Sequence, residues 1–367
     1  MQRRRFIQAG AAASVLGSLP LLADRALAQQ LPFDPKPRGW RTFEVTTRVE
    51  IQFPEGVSRV WLPLPSVEGE YQKLVDNAWS GNGSTRIAED GKYGAKMIVS
   101  EWTKSAQLPV VEVTSTLSTQ NRAVDFTRPK AGLKLDPASV AFFTAPSDLI
   151  PTDGIVRQKA NEIVRGNQDD FDKARALYEW IVENTARNPK TRGCGVGDIR
   201  AMLESGDLTG KCADLNALYV GLARSVGLPA RDVYGLRLVK SEFGYRSLGA
   251  GSANVTRAQH CRAEVFLNGF GWVPVDPADV RKVVLEEKPA PITLADPVVP
   301  PVRAKLFGAW EGNWVAYNQA HDVRLPGSSG PALGFLMYPQ AETNNERLDP
   351  LDPDNFKYTI TARELKA

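Results

Sequence analysis

The sequence predicts an α+β protein, with a small β-sandwich ahead of a core of helices and antiparallel strands. Three observations lead there. Short alternating stretches fill residues 40–126, and helical spacing takes over from about residue 153. After a helix that begins at Cys212, the chain turns extended again as far as Asp276.

In the first region Phe43, Val45, Thr47, Val49 and Ile51 alternate with polar residues. Val60-Trp61-Leu62, Met97-Ile98-Val99 and Val110-Val111-Glu112-Val113 form further strands, with turns at Pro54-Glu55-Gly56 and Glu89-Asp90-Gly91 between them. Several short strands with polar loops make a sandwich, assigned to residues 29–130. This region holds neither cysteine nor histidine, so it reads as a scaffold or as one wall of a cleft.

The core is assigned to residues 131–288. It opens with a connection from Pro129 to Pro151, interrupted by Pro137 and Pro146. Ala174, Leu177, Tyr178, Ile181 and Val182 then share one face of a helix starting near Asp172. Asp198 is an N-cap for a short helix through Glu204. Between these helices the run Gly193-Cys194-Gly195-Val196-Gly197 lacks the strand–loop–helix setting of a phosphate cradle. It reads as a loop near the site.

The organising stretch is Thr209-Gly210-Lys211-Cys212-Ala213-Asp214. Leu215, Leu218, Tyr219, Leu222 and Val226 mark one buried helical face, and Gly227 and Pro229 supply the stop. Cys212 therefore sits at a helix N-terminus, where the dipole and free N–H groups favour a thiolate. A buried cysteine at the start of a core helix is common, so its partners decide. Residues 229–238 form a strand, and a polar, glycine-rich loop over 240–256 reads as a surface loop in preference to a lid.

Ala258 to Leu267 alternates as a strand that puts His260, Arg262, Glu264 and Phe266 on one face. Asn268-Gly269 turns the chain into Gly271-Trp272-Val273-Pro274-Val275-Asp276, stopped by Pro277. That hairpin returns Asp276 beside His260. An imidazole takes the thiol proton, and a carboxylate fixes its tautomer. Separately, His260 reads as a structural histidine and Asp276 as a turn residue; Cys212, His260 and Asp276 together point to nucleophilic catalysis. Glu264 reads as an ion-pair residue to Arg262 or a neighbour. His321 is the rival base, read as structural. It lies in an aromatic-rich segment after the proline-rich connection Pro289–Pro301, within a C-terminal extension (289–367) expected to pack on the core.

These pieces carry a resemblance. Gly210-Lys211-Cys212-Ala213-Asp214, residues 223–231, His260 with Glu264, and Gly271-Trp272-Val273-Pro274-Val275-Asp276-Pro277 are similar to the transglutaminase-like superfamily of papain-fold enzymes, over about residues 153–280. The resemblance implies a papain-like core with Cys212 as nucleophile, His260 as base and Asp276 as the orienting carboxylate. The family often places an aromatic residue two positions after the histidine, where this chain has Arg262.

Arg3-Arg4-Arg5-Phe6-Ile7, an apolar run from Ala9 to Ala23 and Ala26-Leu27-Ala28 form a twin-arginine export signal over residues 1–28. The expected address is the periplasm, with no stable membrane insertion after cleavage. Removing the signal takes four arginines and one aspartate, leaving 41 basic and 41 acidic residues. Nothing in that balance suggests nucleic acid or an anionic surface as a partner. Three cysteines leave at least one thiol free in an oxidising compartment, and whether Cys194 pairs with Cys261 stays open. Two histidines without CxxC or HExxH spacing give no zinc site, and no calcium loop of the EF-hand type is present. The expected protein uses no cofactor and no metal. Its partner is a protein or peptide amide substrate, cleaved or transferred through a Cys212 thioester, with hydrolysis favoured over cross-linking. The other reading is a non-catalytic binding or assembly module that keeps the fold. The second oxyanion donor and the oligomeric state stay open.

Overall fold

Alternating apolar residues pair the N-terminal strands into two sheets that pack face to face. The computed structural model describes residues 32–103, 108–167 and 169–365; the expected export signal lies outside them. One sheet has the order Lys357–Leu365, Arg41–Glu50, Val110–Thr119, Gln72–Gly81. The other runs Glu346–Leu348, Gln340–Thr343, Ser58–Pro63, Lys96–Trp102, Ser84–Glu89. Val49, Val111 and Val113 from the first meet Val60, Leu62 and Ile98 from the second in one buried cluster. Full burial of such side chains contributes about 1.5–3 kcal/mol each.

Here the structure corrects the expected boundaries. The sandwich does not end at residue 130, and residues 289–367 do not pack on the core alone. Lys357–Leu365 pairs along Arg41–Glu50, and Gln340–Thr343 along Ser58–Pro63. Without these two strands, both N-terminal strands would present an open row of backbone donors and acceptors.

The core centres on the helix Cys212–Ser225. The sequence marks one apolar face, but all 14 residues are buried. The strands Gln259–Leu267 and Ala230–Arg237 pack against it, as do the helices Gly154–Ile163 and Asp170–Asn184. A helix enclosed this way must satisfy its polar residues internally. Arg224 Nε donates to the Ala230 carbonyl at 2.9 Å, and Ser225 Oγ to that of Gly221 at 2.8 Å. The core sheet is antiparallel, in the order Gly271–Val275, Gln259–Leu267, Ala230–Arg237, Trp314–Asn318.

Helix starts follow their caps. Asp169 accepts from Asp172 N at 2.8 Å, which starts that helix at Asp170. Asp198 accepts from Ala201 N at 3.0 Å, as its spacing implies. The proline-bounded connection contains an unexpected helix, Pro137–Thr144, with Asp136 accepting from Ser139 N at 2.9 Å and proline at its first position. No helix among the described residues is long and apolar enough to cross a membrane.

Glu264 is fully buried and ion-paired to Arg231 at 2.5 Å and to Arg122. The sequence reading named Arg262 or a neighbour; the neighbours are the partners, and Arg262 is engaged elsewhere. Arg122 lies where the chain leaves the sandwich, so Glu264 ties that exit to the core sheet. Burial raises the Glu264 pKa, but Arg231 and Arg122 outweigh it and hold it below the usual range. Glu264→Ala leaves two guanidinium groups unpaired, and urea unfolding should register a loss of about 3–5 kcal/mol. The carboxylate's contribution is present above its unfolded pKa of about 4.3 and lost as pH falls through the lower folded value. The variant's stability should therefore fall less steeply in acid than that of the wild type.

Candidate active site

Asp214 fixes the start of the central helix. Its carboxylate accepts from Lys211 N at 2.8 Å and from Val196 N and Gly197 N, both at 2.9 Å. A Cβ on Gly195 would lie 1.9 Å from Asp214 Oδ2, and one on Gly210 2.5 Å away. Gly195 also has φ +95°. The glycine-rich run thus wraps a carboxylate of the protein itself. It also lays the Cys194 carbonyl on Ala213 N at 2.9 Å, which seats Cys194 beside the helix start.

Cys212 is the first residue of the helix and 3% exposed. A first-turn N–H has no intrahelical acceptor, so it is free for an oxyanion. All three cysteines gather here as free thiols. The neighbouring Cys194 and Cys261 thiols hold the Cys212 pKa well below its ordinary value against burial, and His260 adds to them. The same contacts, together with burial, push Cys194 and Cys261 well up.

His260 stands on the strand Gln259–Leu267, opposite Gly235. Trp314 Nε1 donates to the His260 carbonyl at 2.9 Å. A Cβ on Gly235 would come within 2.4 Å of that indole ring, so glycine is required there. His260 Nε2 meets Asp276 Oδ2 at 2.7 Å and lies 3.4 Å from Asp279 Oδ2. That leaves Nδ1 for the thiol. Burial and Arg237 pull the imidazole pKa down; Asp279 and Asp276 overcome them and bring it to about 9.

Asp276 is both the turn residue and the partner of His260. It caps the helix Pro277–Glu286, accepting from Asp279 N at 3.1 Å, and takes Asn216 Nδ2 at 3.3 Å. Burial and Asp279 raise its pKa, and His260 opposes them. Asp279 in turn is clamped by Arg237 Nη2 at 2.5 and 2.6 Å. Arg262 Nε lies 3.6 Å from Asp276 Oδ2, with its guanidinium 4.6 Å from the centre of a Trp314 ring. Sequence reasoning missed Asp279, Arg237 and Asn216. Asn216 carried a signal, since four residues after Cys212 it lies one turn along the same helix.

The donor atoms of His260, Asp276 and Asp279 lie within 4.8 Å of one another, a set able to hold a cation. Their lone pairs are already engaged, Asp279 by Arg237 and Asp276 by His260, Asn216 and the helix start. A divalent ion would have to displace a buried guanidinium, so the donor set does not fit one.

His321 is elsewhere. It is buried against Tyr234 Oη at 3.3 Å and Asp232 Oδ2 at 3.5 Å, outside the lining of the Cys212 cleft. Burial and Arg224 push its pKa well down, so it stays neutral. The loop at 240–256 is packed: Phe243 and Tyr245 meet Phe33 edge-on at 5.2 and 5.4 Å. Its Gly249, Ala250 and Gly251 form one wall of a cleft of about 550 Å³, into which Cys212, His260 and Cys194 open.

A helix-start cysteine packed on an antiparallel sheet, with a histidine on one strand and an aspartate just past the end of the neighbouring one, defines a papain-like cysteine-enzyme fold. Residues 157–277 match the family model described as the transglutaminase-like superfamily. An uncharacterized protein of Haemophilus influenzae is 36% identical over 342 residues, covering 88% of this chain and 91% of its own length. A crystal structure of "a Putative Cysteine Protease from Cytophaga hutchinsonii" shares the fold at TM-score 0.50 and 15% identity, over 89% of this chain and 99% of that one. The chain belongs to the transglutaminase-like superfamily.

Iodoacetamide labelling tests the activation of Cys212. It should proceed well below the pH of about 8.5 at which a free thiol ionises. The imidazolium that supports the thiolate is lost as pH rises through about 9. His260→Ala should therefore move the labelling midpoint upward, read by peptide mass spectrometry.

Proposed function

We propose that this chain is an exported periplasmic enzyme that cleaves peptide amides through a Cys212 thioester. The observation that carries the reading is His260, held by Asp276 at 2.7 Å, in the cleft into which Cys212 opens. In this mechanism the Cys212 thiolate attacks the amide carbonyl, and the Cys212 N–H supports the oxyanion. The His260 imidazolium protonates the leaving amine, and Asp276 keeps its ring oriented. The now neutral imidazole then takes a proton from water, which attacks the thioester and releases the acid. An amine in place of water would give cross-linking by the same steps. Arg3-Arg4-Arg5 and the Ala26-Leu27-Ala28 site support export before the enzyme acts.

The test is peptide turnover by the chain without residues 1–28, with and without a dansylated alkylamine. Free acid should dominate the products even with amine present, and Cys212→Ala should lower kcat by about a thousand-fold or more. Predominant amine incorporation would make it a transglutaminase. No acyl-enzyme on Cys212 with any peptide, alongside unreactive labelling, would leave a binding module.

A further inference from the structure

Among the described residues, six cationic side chains line the cleft and no carboxylate does: Arg187, Arg192, Lys211, Arg237, Arg257 and Lys282. The imbalance is local, because residues 29–367 hold 41 basic and 41 acidic residues. Arg187, Arg192 and Arg237 each have a carboxylate behind the lining, at 2.5 Å from Glu286, Asp349 and Asp279. Lys282 reaches Glu286 only at 3.8 Å, and that carboxylate already serves Arg187. Lys211 and Arg257 make no ion pair among the described residues.

Their placement bears on the chemistry. Lys211 immediately precedes the candidate nucleophile, and Arg257 lies three residues before His260 on the approach to its strand. Lys282 is one turn beyond Asp279 on the helix that Asp276 caps. Burial, with Arg237 nearby, pushes the Lys282 pKa down to about 8, although Asp279 and Glu286 oppose the shift. A bound carboxylate would favour the charged form, whereas a cationic substrate would meet the unpaired Lys211 and Arg257 as like charges.

We infer that the cleft selects peptides carrying carboxylates beside the scissile amide, which Lys211, Arg257 and Lys282 receive. The inference rests on the proposed peptide-cleaving reading for its substrate class, and it concerns binding, which can be measured without turnover.

The experiment uses Cys212→Ala protein and fluorescent pentapeptides, capped at both ends, with Glu, Gln or Lys flanking a central amide. Anisotropy should rank Glu above Gln by about tenfold and Lys last, with the Glu advantage shrinking between about 50 and 500 mM salt. Adding Lys211→Glu or Arg257→Glu should bring the Glu-to-Gln ratio to about one or below. Lys134→Glu, an exposed cation away from the cleft, should leave the ratio in place. A further pair, differing only in a free or amidated C-terminus, separates a terminal carboxylate from a side-chain one. Equal binding of Glu and Gln peptides overturns the inference, as does no binding of any of them or a ratio that survives both charge reversals. If the ranking stands but wild-type protein cleaves none of these peptides, the catalytic reading fails and the selectivity remains.

Discussion

The site depends on burying ionised groups without leaving charge uncompensated. His260, Arg237, Arg262, Asp276 and Asp279 are each at most 3% exposed. A lone ion in such surroundings costs several kcal/mol. Two carboxylates face the imidazole, and two guanidinium groups balance them before it takes a proton. In the proposed mechanism, movement of the Cys212 proton to His260 would redistribute charge inside a set that, with Cys212, totals zero in both states. Arg262 gains its meaning here. An aromatic residue at that position would leave the two carboxylates one cation short. The aromatic surface is supplied from other strands, by Trp314 and Trp310, against which the Arg262 guanidinium stacks at 4.6 and 5.3 Å. Its pKa is lowered by burial to about 10, which still leaves it charged at neutral pH.

Cys212, His260 and Asp276 were legible because each sits where local rules apply. The cysteine opens a helical period, the histidine lies on an alternating strand, and the aspartate ends a hairpin arm before proline. The second layer was hidden because its members come from separate segments with no shared period. Arg237 ends a strand that reads as generic core. Asp279 looks like an ordinary acidic residue in the first turn of a helix, and only the tertiary fold places it 3.4 Å from His260. Cys194 and Cys261 read as a possible disulfide. In the structure both are free, buried thiols beside Cys212, and Cys194 donates to the Gln259 carbonyl at 3.4 Å, a relation that residue spacing does not encode.

The fold divides the same way. Strands with one buried face, such as Arg41–Glu50 and Val110–Thr119, alternate cleanly and could be read. Gln72–Gly81 could not, since only Gln72 is buried in it and an edge strand carries little apolar pattern. The pairing of Lys357–Leu365 with Arg41–Glu50 spans nearly the whole chain, and a strand's partner is set by which edge is open, which local sequence does not state.

That long-range closure reaches the cleft. Phe356 is part of the sandwich core and also lines the cleft, just before the closing strand. Tyr358, on that strand, donates from its hydroxyl to the Pro350 carbonyl at 3.0 Å, and both residues face the same cleft. Another lining segment is tied to the same strand, because Val255 N donates to the Ile360 carbonyl at 2.8 Å and Ala362 N to that of Ala253 at 2.9 Å. The 253–257 segment, which carries Arg257, is therefore held in register by a strand of the sandwich. The β-sandwich is thus more than a scaffold beside the core. Its last strand holds lining residues of the cleft in place, while Cys212 and His260 are positioned by the central helix and sheet.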